Sequence, residues 1–189
     1  MSYEVELKFR LEQPGPVEAL LREHGAVERS VFPHADSYFN HPSRDFRTTD
    51  EALRIRSVGD INCVTYKGPV IGNLAKTRRE IEIGFANGTS AADQLFEMVR
   101  LLGFEFVREV RKTRRSFELN WNGDDFELAL DEVPGLGNFL EIEVLAEDDR
   151  RTEAEAAVWK LARSLGLRNV EPRSYLSQLL EHDGPPGEC

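Results

Sequence analysis

Like charges recur two residues apart in stretches of this chain that alternate as β-strands do: Glu4/Glu6, Arg54/Arg56, Glu80/Glu82, Lys112/Arg114 and Glu141/Glu143. Successive side chains of a strand point to opposite faces, so a spacing of two places both charges on one face, about 6.5–7 Å apart. There they repel unless counter-charges or a ligand intervene. Residues 3–11 carry Tyr3, Val5, Leu7, Phe9 and Leu11 on one face and Glu4, Glu6, Lys8 and Arg10 on the other. In 52–58, Leu53 and Ile55 oppose Arg54 and Arg56; in 76–85, Ile81, Ile83 and Phe85 oppose Lys76, Arg78, Glu80 and Glu82. With Lys67 and Asp131 added, at least six strands contribute to the charged face. An open, solvated sheet accounts for one such strand. Five matched pairs predict instead a sheet curled on itself, with a charged interior and an apolar outer face partly covered by helices.

Further strands are expected at 36–40, 62–67, 105–119, 124–132 and 138–145, with turns at Gly59-Asp60, Asn122-Gly123 and Pro134-Gly135. Pro14-Gly15-Pro16 starts a helix with the stripe Val17, Leu20, Leu21; Thr89 or Ser90 caps one carrying Leu95, Phe96, Val99 and Leu102. Thr152 opens a third in capping-box style, with Val158, Leu161, Ala162 and Leu165 on one face, and 173–182 forms a last short helix. No linker-like shift in composition divides these pieces. A single α+β domain over 1–182 and a disordered tail over 183–189 are therefore expected.

Composition narrows the function. No apolar stretch nears the ~18–20 residues of a membrane span, and the first residues lack the basic start and apolar core of a signal peptide. Two cysteines, Cys63 and Cys189, make neither a disulfide framework nor a zinc set, so a reducing cytoplasm is expected. A net charge of -10 argues against nucleic acid or a membrane surface as partner.

The residue types on the charged face suggest a chemistry. Acidic pairs suit a hard cation such as Mg²⁺ or Mn²⁺, which takes carboxylate oxygens; basic pairs suit phosphate oxygens. Together they describe a site for a metal–polyphosphate complex. His24, His34, His41 and His182 are scattered and take no metal role. Cys63 reads as a small buried apolar residue, Trp159 as helix packing and Gly135-Leu136-Gly137 as a turn. Tyr38 and Phe39 read as core or rim aromatics in preference to a base-stacking pair.

The ordered set Glu4-Val-Glu6-Leu-Lys8, Leu53-Arg54-Ile-Arg56, Thr65-Tyr-Lys67, Lys76-Thr-Arg78-Arg-Glu80-Ile-Glu82, Val110-Arg-Lys112-Thr-Arg114, Leu130-Asp131 and Phe139-Leu-Glu141-Ile-Glu143 resembles the CYTH family. These are the triphosphate tunnel metalloenzymes, which include class IV adenylyl cyclases, thiamine triphosphatases and inorganic triphosphatases. The resemblance implies an eight-stranded antiparallel barrel open as a tunnel, with helices outside. It implies that Glu4, Glu6, Glu141 and Glu143 hold the divalent metal with help from Asp131. Lys8, Arg54, Arg56, Lys67, Arg78, Lys112 and Arg114 would grip the triphosphate; Lys76, at a strand entry, ranks behind them. Glu80 and Glu82 would form a second acidic group that places a second metal, orients basic residues or activates water. Lys8, Glu80, Glu82 and Asp131 are the residues expected to serve the chemical step. Asp36–Asn40, Thr49–Arg56 and Leu130–Phe139 look most like the cyclase branch, which converts ATP to cyclic AMP and pyrophosphate. Hydrolysis of tripolyphosphate, thiamine triphosphate or a nucleoside triphosphate is the alternative, and a binding module without turnover is the second. An apolar patch on the barrel's side would favour a homodimer.

Overall fold

The computed structural model describes residues 2–72 and 74–183. The expected tail, 183–189, lies outside the described residues except for Asp183. The strands are β1 (Ser2–Leu11), β2 (Val27–Asn40), β3 (Ala52–Val58), β4 (Ile61–Lys67), β5 (Lys76–Arg78), β6 (Glu80–Phe85), β7 (Glu105–Trp121), β8 (Asp124–Val133) and β9 (Gly137–Glu147). The helices are α1 (Pro14–Glu23), α2 (Phe46–Thr49), α3 (Thr89–Leu101), α4 (Arg151–Ser164) and α5 (Tyr175–Asp183). None is long and apolar enough to cross a membrane.

All nine strands form one antiparallel sheet in the order β5-β1-β9-β8-β7-β2-β3-β4-β6. Its two outermost strands are consecutive in the chain, with Arg79 alone between them. The sheet thus bends round until its edges are two halves of one segment, a nearly closed barrel. Among the described residues the expected count of eight becomes nine, because 76–85 does not run as one strand. Residues 76–78 pair with β1 and 80–85 with β4, so the chain steps from one barrel edge to the other at Arg79. The amide of Gly68 donates to the Arg79 carbonyl at 2.9 Å, tying the break to the end of β4.

Alternation assigns the two faces. Val5, Leu7 and Phe9 of β1, Leu140, Ile142 and Val144 of β9, Phe126, Leu128 and Leu130 of β8, and Phe117 and Leu119 of β7 point outward. They form the main core with Val17 and Leu21 of α1 and Ala154, Ala157, Val158, Leu161 and Ala162 of α4. A second outer cluster packs Leu95, Phe96 and Val99 of α3 on Phe39, Leu53, Ile55, Val64 and Phe85. α1, α3 and α4 thus cover outward-facing apolar strand residues with their own apolar stripes, which leaves the charged set facing inward. The third cluster is different in kind: Val110, Val133 and Phe139 share the inward parity of Lys112, Asp131 and Glu141, and Tyr175 and Leu179 of α5 pack on them. One end of the interior is apolar and is closed by α5.

Between β7 and β8, Asn122 and Gly123 both have positive φ, 54° and 89°, the conformation a two-residue I′ hairpin requires. Elsewhere the local expectations shift. α3 begins after Gly88 and α4 after Arg150, and neither has a side-chain cap, so the Thr89, Ser90 and Thr152 caps do not form. Trp159 packs edge-to-face on Phe9, as expected of a helix stripe, and its indole N–H also donates to the Leu74 carbonyl at 2.7 Å.

A charged cavity with two kinds of cation and two kinds of carboxylate

A cavity of about 1610 Å³ extends from the barrel interior out past the strand ends; inside the barrel it is lined by Glu4, Glu6, Lys8, Arg54, Arg56, Lys67, Lys76, Arg78, Glu80, Glu82, Lys112, Arg114, Glu141 and Glu143. Strand register explains why they converge. Glu6 stands opposite Glu143, and Lys8 opposite Glu141, across β1–β9. Glu4 faces Arg78 and Glu6 faces Lys76 across β1–β5. Arg54 pairs in register with Thr65, and Thr65 with Glu82, across β3–β4–β6. Of the residues singled out from the sequence, Asp131 alone is not among the lining groups; it is buried behind Lys112 and Arg114.

The cations divide in two. Arg56 donates to both oxygens of Asp36 at 2.7 Å, and Arg54 reaches the same carboxylate at 3.5 Å. Lys112 donates to Asp131 at 2.8 Å; Arg114 forks onto Asp131 at 2.6 and 2.7 Å and also reaches Glu141. Lys67 joins Glu4 and Glu80, each at 2.7 Å. Lys8, Lys76 and Arg78, by contrast, form no ion pair among the described residues, and the buried Nε of Arg78 has no hydrogen-bond partner. These three stand side by side on β1 and β5.

The carboxylates divide likewise. Burial raises the pKa of any carboxyl, but for Asp36, Asp131 and Glu141 the adjacent guanidinium and ammonium groups outweigh it and hold each below its ordinary range. Burial also opposes ionisation of Glu80, yet its contact with Glu4 and the Lys67 charge bring it down to about 2. Glu143 goes the other way: burial, then the negative charges of Glu4, Glu6 and Glu141, push it well above its ordinary value. Glu4 is raised too, by burial and by Glu80, with Lys67 pulling against them.

Glu4, Glu6 and Glu143 each offer an oxygen within 4.8 Å of the others. An oxygen-seeking ion with bonds of about 2.0–2.1 Å spans about 4 Å between opposite ligands, so this trio fits one such ion with slight contraction. An excess of negative charge that favours a proton also favours a cation. Glu141 and Asp131, also expected at the metal site, lie against Arg114 and Lys112.

Groups in and beside the cavity differ from their sequence readings. Asp36, the anchor for two arginines, read as no more than the start of a strand, and Lys76 was ranked low. Tyr38 and Phe39 both border the cavity, and Phe39 is also buried in the outer cluster against Phe96 and Phe106. Cys63 shares the inward parity of Thr65 and Lys67 and is half-buried, not a buried apolar filler. His34, in line with Asp36 on β2, faces Lys112 in register and keeps a buried Nδ1 without a partner.

The sequence matches the CYTH domain family over residues 2–175. It is 36% identical over 177 residues, 92% of this chain and 96% of the other, to a Methanocaldococcus jannaschii protein that bears the provisional name adenylate cyclase. A Pyrococcus horikoshii OT3 structure superposes with a TM-score of 0.80 at 38% identity, covering 96% of this chain and 99% of that one. A Hippeastrum protein described as a provisional adenylyl cyclase with a dominant triphosphatase activity shares the fold, with a TM-score of 0.63 at 17% identity over 94% of each chain.

Proposed function

The chain belongs to the CYTH family, and from that premise we propose that it is a divalent-metal-dependent phosphoryl-transfer enzyme acting on a triphosphate. The carrying observation is adjacency: a carboxylate trio, Glu4, Glu6 and Glu143, next to three cations without carboxylate partners among the described residues, Lys8, Lys76 and Arg78. A metal–triphosphate complex needs both signs of charge side by side, and its phosphates would supply what Lys8, Lys76 and Arg78 lack.

Bound at the trio, Mg²⁺ or Mn²⁺ would neutralise phosphate charge and polarise the phosphorus–oxygen bond. The chain's own residues do the rest. Lys8, Lys76 and Arg78 bind the equatorial phosphate oxygens. Arg54, Arg56, Lys112 and Arg114, fixed by Asp36 and Asp131, present a rigid positive wall where charge builds during transfer, a preorganised field with little reorganisation left to make. Glu82 is 46% exposed at its side chain and accepts from Thr65 at 2.9 Å, which leaves an accessible carboxylate to take a proton from the attacking hydroxyl or water.

Attack by the ribose 3′-hydroxyl on the α-phosphorus of ATP gives cyclic AMP and pyrophosphate, and this class IV cyclase reading is favoured by the name of the 36%-identical relative. Attack by water on the terminal phosphorus makes the enzyme a triphosphatase; the same lining residues serve it.

Incubating ATP and, separately, tripolyphosphate with Mg²⁺ or Mn²⁺ and identifying the products tests the choice. Cyclic AMP with pyrophosphate supports the cyclase; orthophosphate supports the triphosphatase. Glu143→Gln is expected to reduce turnover at least ~100-fold while the barrel stays folded, in line with loss of a charged group acting on the transition state. Full activity in Glu143→Gln and in Glu4→Gln would refute the metal assignment, and absence of any product from the wild type would leave a binding module.

A further inference from the structure

Resting on that reading, we propose that Tyr175 is a positioning residue: its ring face holds the Lys8 ammonium, and with it Lys112, in place for the triphosphate, while its hydroxyl anchors the ring on Asp131.

Lys8 is 4% exposed, on the inward face of β1 and directly across the ladder from Glu141. A lysine so placed would be expected to fold onto that carboxylate. Instead Glu141 is taken by Arg114, and the Lys8 Nζ lies 4.3 Å from the centroid of the Tyr175 ring. The Lys112 Nζ lies 5.1 Å from the same centroid. The negative face of an aromatic ring attracts an ammonium without neutralising it. A carboxylate in that place would compete with phosphate for the lysine; a ring leaves its charge and N–H groups to the ligand.

The ring is fixed at both ends. Its hydroxyl donates to Asp131 Oδ2 at 3.0 Å, the oxygen that also accepts from Lys112 and Arg114. Its edge meets Phe139 at 5.0 Å between centroids. Tyr175 is the first residue of α5, so the helix that closes the apolar end of the interior also orders the cation wall beside it.

The test is the affinity of Mg²⁺–tripolyphosphate, measured by calorimetry on the full chain. Tyr175→Leu removes the ring and lets Lys8 swing to Glu141; about tenfold weaker binding is expected, and Tyr175→Phe should recover most of it, since the ring face is the larger contribution. Ring-fluorinated phenylalanines in place of Tyr175 keep the shape while draining negative charge from the face. Affinity should fall stepwise with each fluorine while the melting temperature holds. This series keeps the test decisive where Tyr175→Leu does not fold. Affinity that stays flat across the series overturns the proposal and leaves Tyr175 as packing. Failure of the wild type to bind tripolyphosphate would overturn the triphosphate reading itself, and with it this proposal.

Discussion

Asp36 and His34 sit two residues apart on β2 and illustrate opposite costs of a charged interior. Asp36 is 1% exposed and fully engaged with Arg54 and Arg56. Removing one partner of a buried pair leaves the other charge uncompensated, so Asp36→Asn is expected to lose about 3–5 kcal/mol of stability by urea denaturation. Burial acts against the Asp36 charge, but the two arginines overcome it and hold its pKa below the ordinary 3.8. The unfolded chain therefore takes the proton first, and the Asp36 contribution, complete above pH 3.8, is lost only on acidification below it. His34 responds in a higher window. Burial, with Arg56, Arg114 and Lys112 nearby, pushes its imidazole from 6.5 down to about 3. As pH falls from 6.5 toward 3 the unfolded chain binds a proton that the folded chain refuses, so stability drops. His34→Gln should flatten the pH dependence of stability over that range by close to one proton. An unchanged slope would mean that His34 is solvated and titrates normally.

At the scale of elements, much was legible because alternation survives in most strands. The charged pairs of β1, β3, β7 and β9 needed only parity to be placed on one face, and the cavity lining follows that face. Three features were hidden. The step at Arg79 was invisible because parity continues across it: Arg78 and Glu80 both face the cavity although they pair with different strands. β2 was expected over 36–40 but runs from Val27, since Val27–Pro33 lacks alternation and contains a proline. There it pairs only with β7, pairing with β3 starting at His34, so Pro33 costs no ladder bond on the open side. The closure by α5 depends on a contact distant in sequence. Val110, Val133 and Phe139 could be read as inward by parity, but nothing local says that Tyr175 and Leu179 cover them. The outer helices offer a separation of stability from chemistry. Leu161 of α4 is fully buried on the outside of the barrel and is not among the cavity residues. Leu161→Ala is expected to cost about 2–5 kcal/mol through lost burial and the cavity it leaves. Turnover at a temperature where the variant remains folded should match the wild type; a loss of turnover there would show that α4 shapes the interior.

For the whole molecule, the net charge of -10 conceals a segregation. Within the barrel most cations are fixed by carboxylates, and the remaining imbalance is local: Glu4, Glu6 and Glu143 crowd together, and next to them Lys8, Lys76 and Arg78 form no ion pair among the described residues. Like charges within each group repel, and a ligand carrying both signs of charge relieves that repulsion. Binding to the folded state alone at a concentration 100 times Kd adds about 2.7 kcal/mol. For a chain of this size that corresponds to a rise in Tm of roughly 5–10 °C. Mg²⁺ alone should give a small increment, because the cation wall stays unrelieved; tripolyphosphate alone should do the same, because the trio does. Together they should exceed the sum of the two. Glu143→Gln should lose the metal increment and the excess while keeping the tripolyphosphate increment, since the lysines and Arg78 remain. Sodium chloride at matched ionic strength is the control: if it reproduces the combined shift, the barrel is responding to screening of its charges and not to a ligand seated among them.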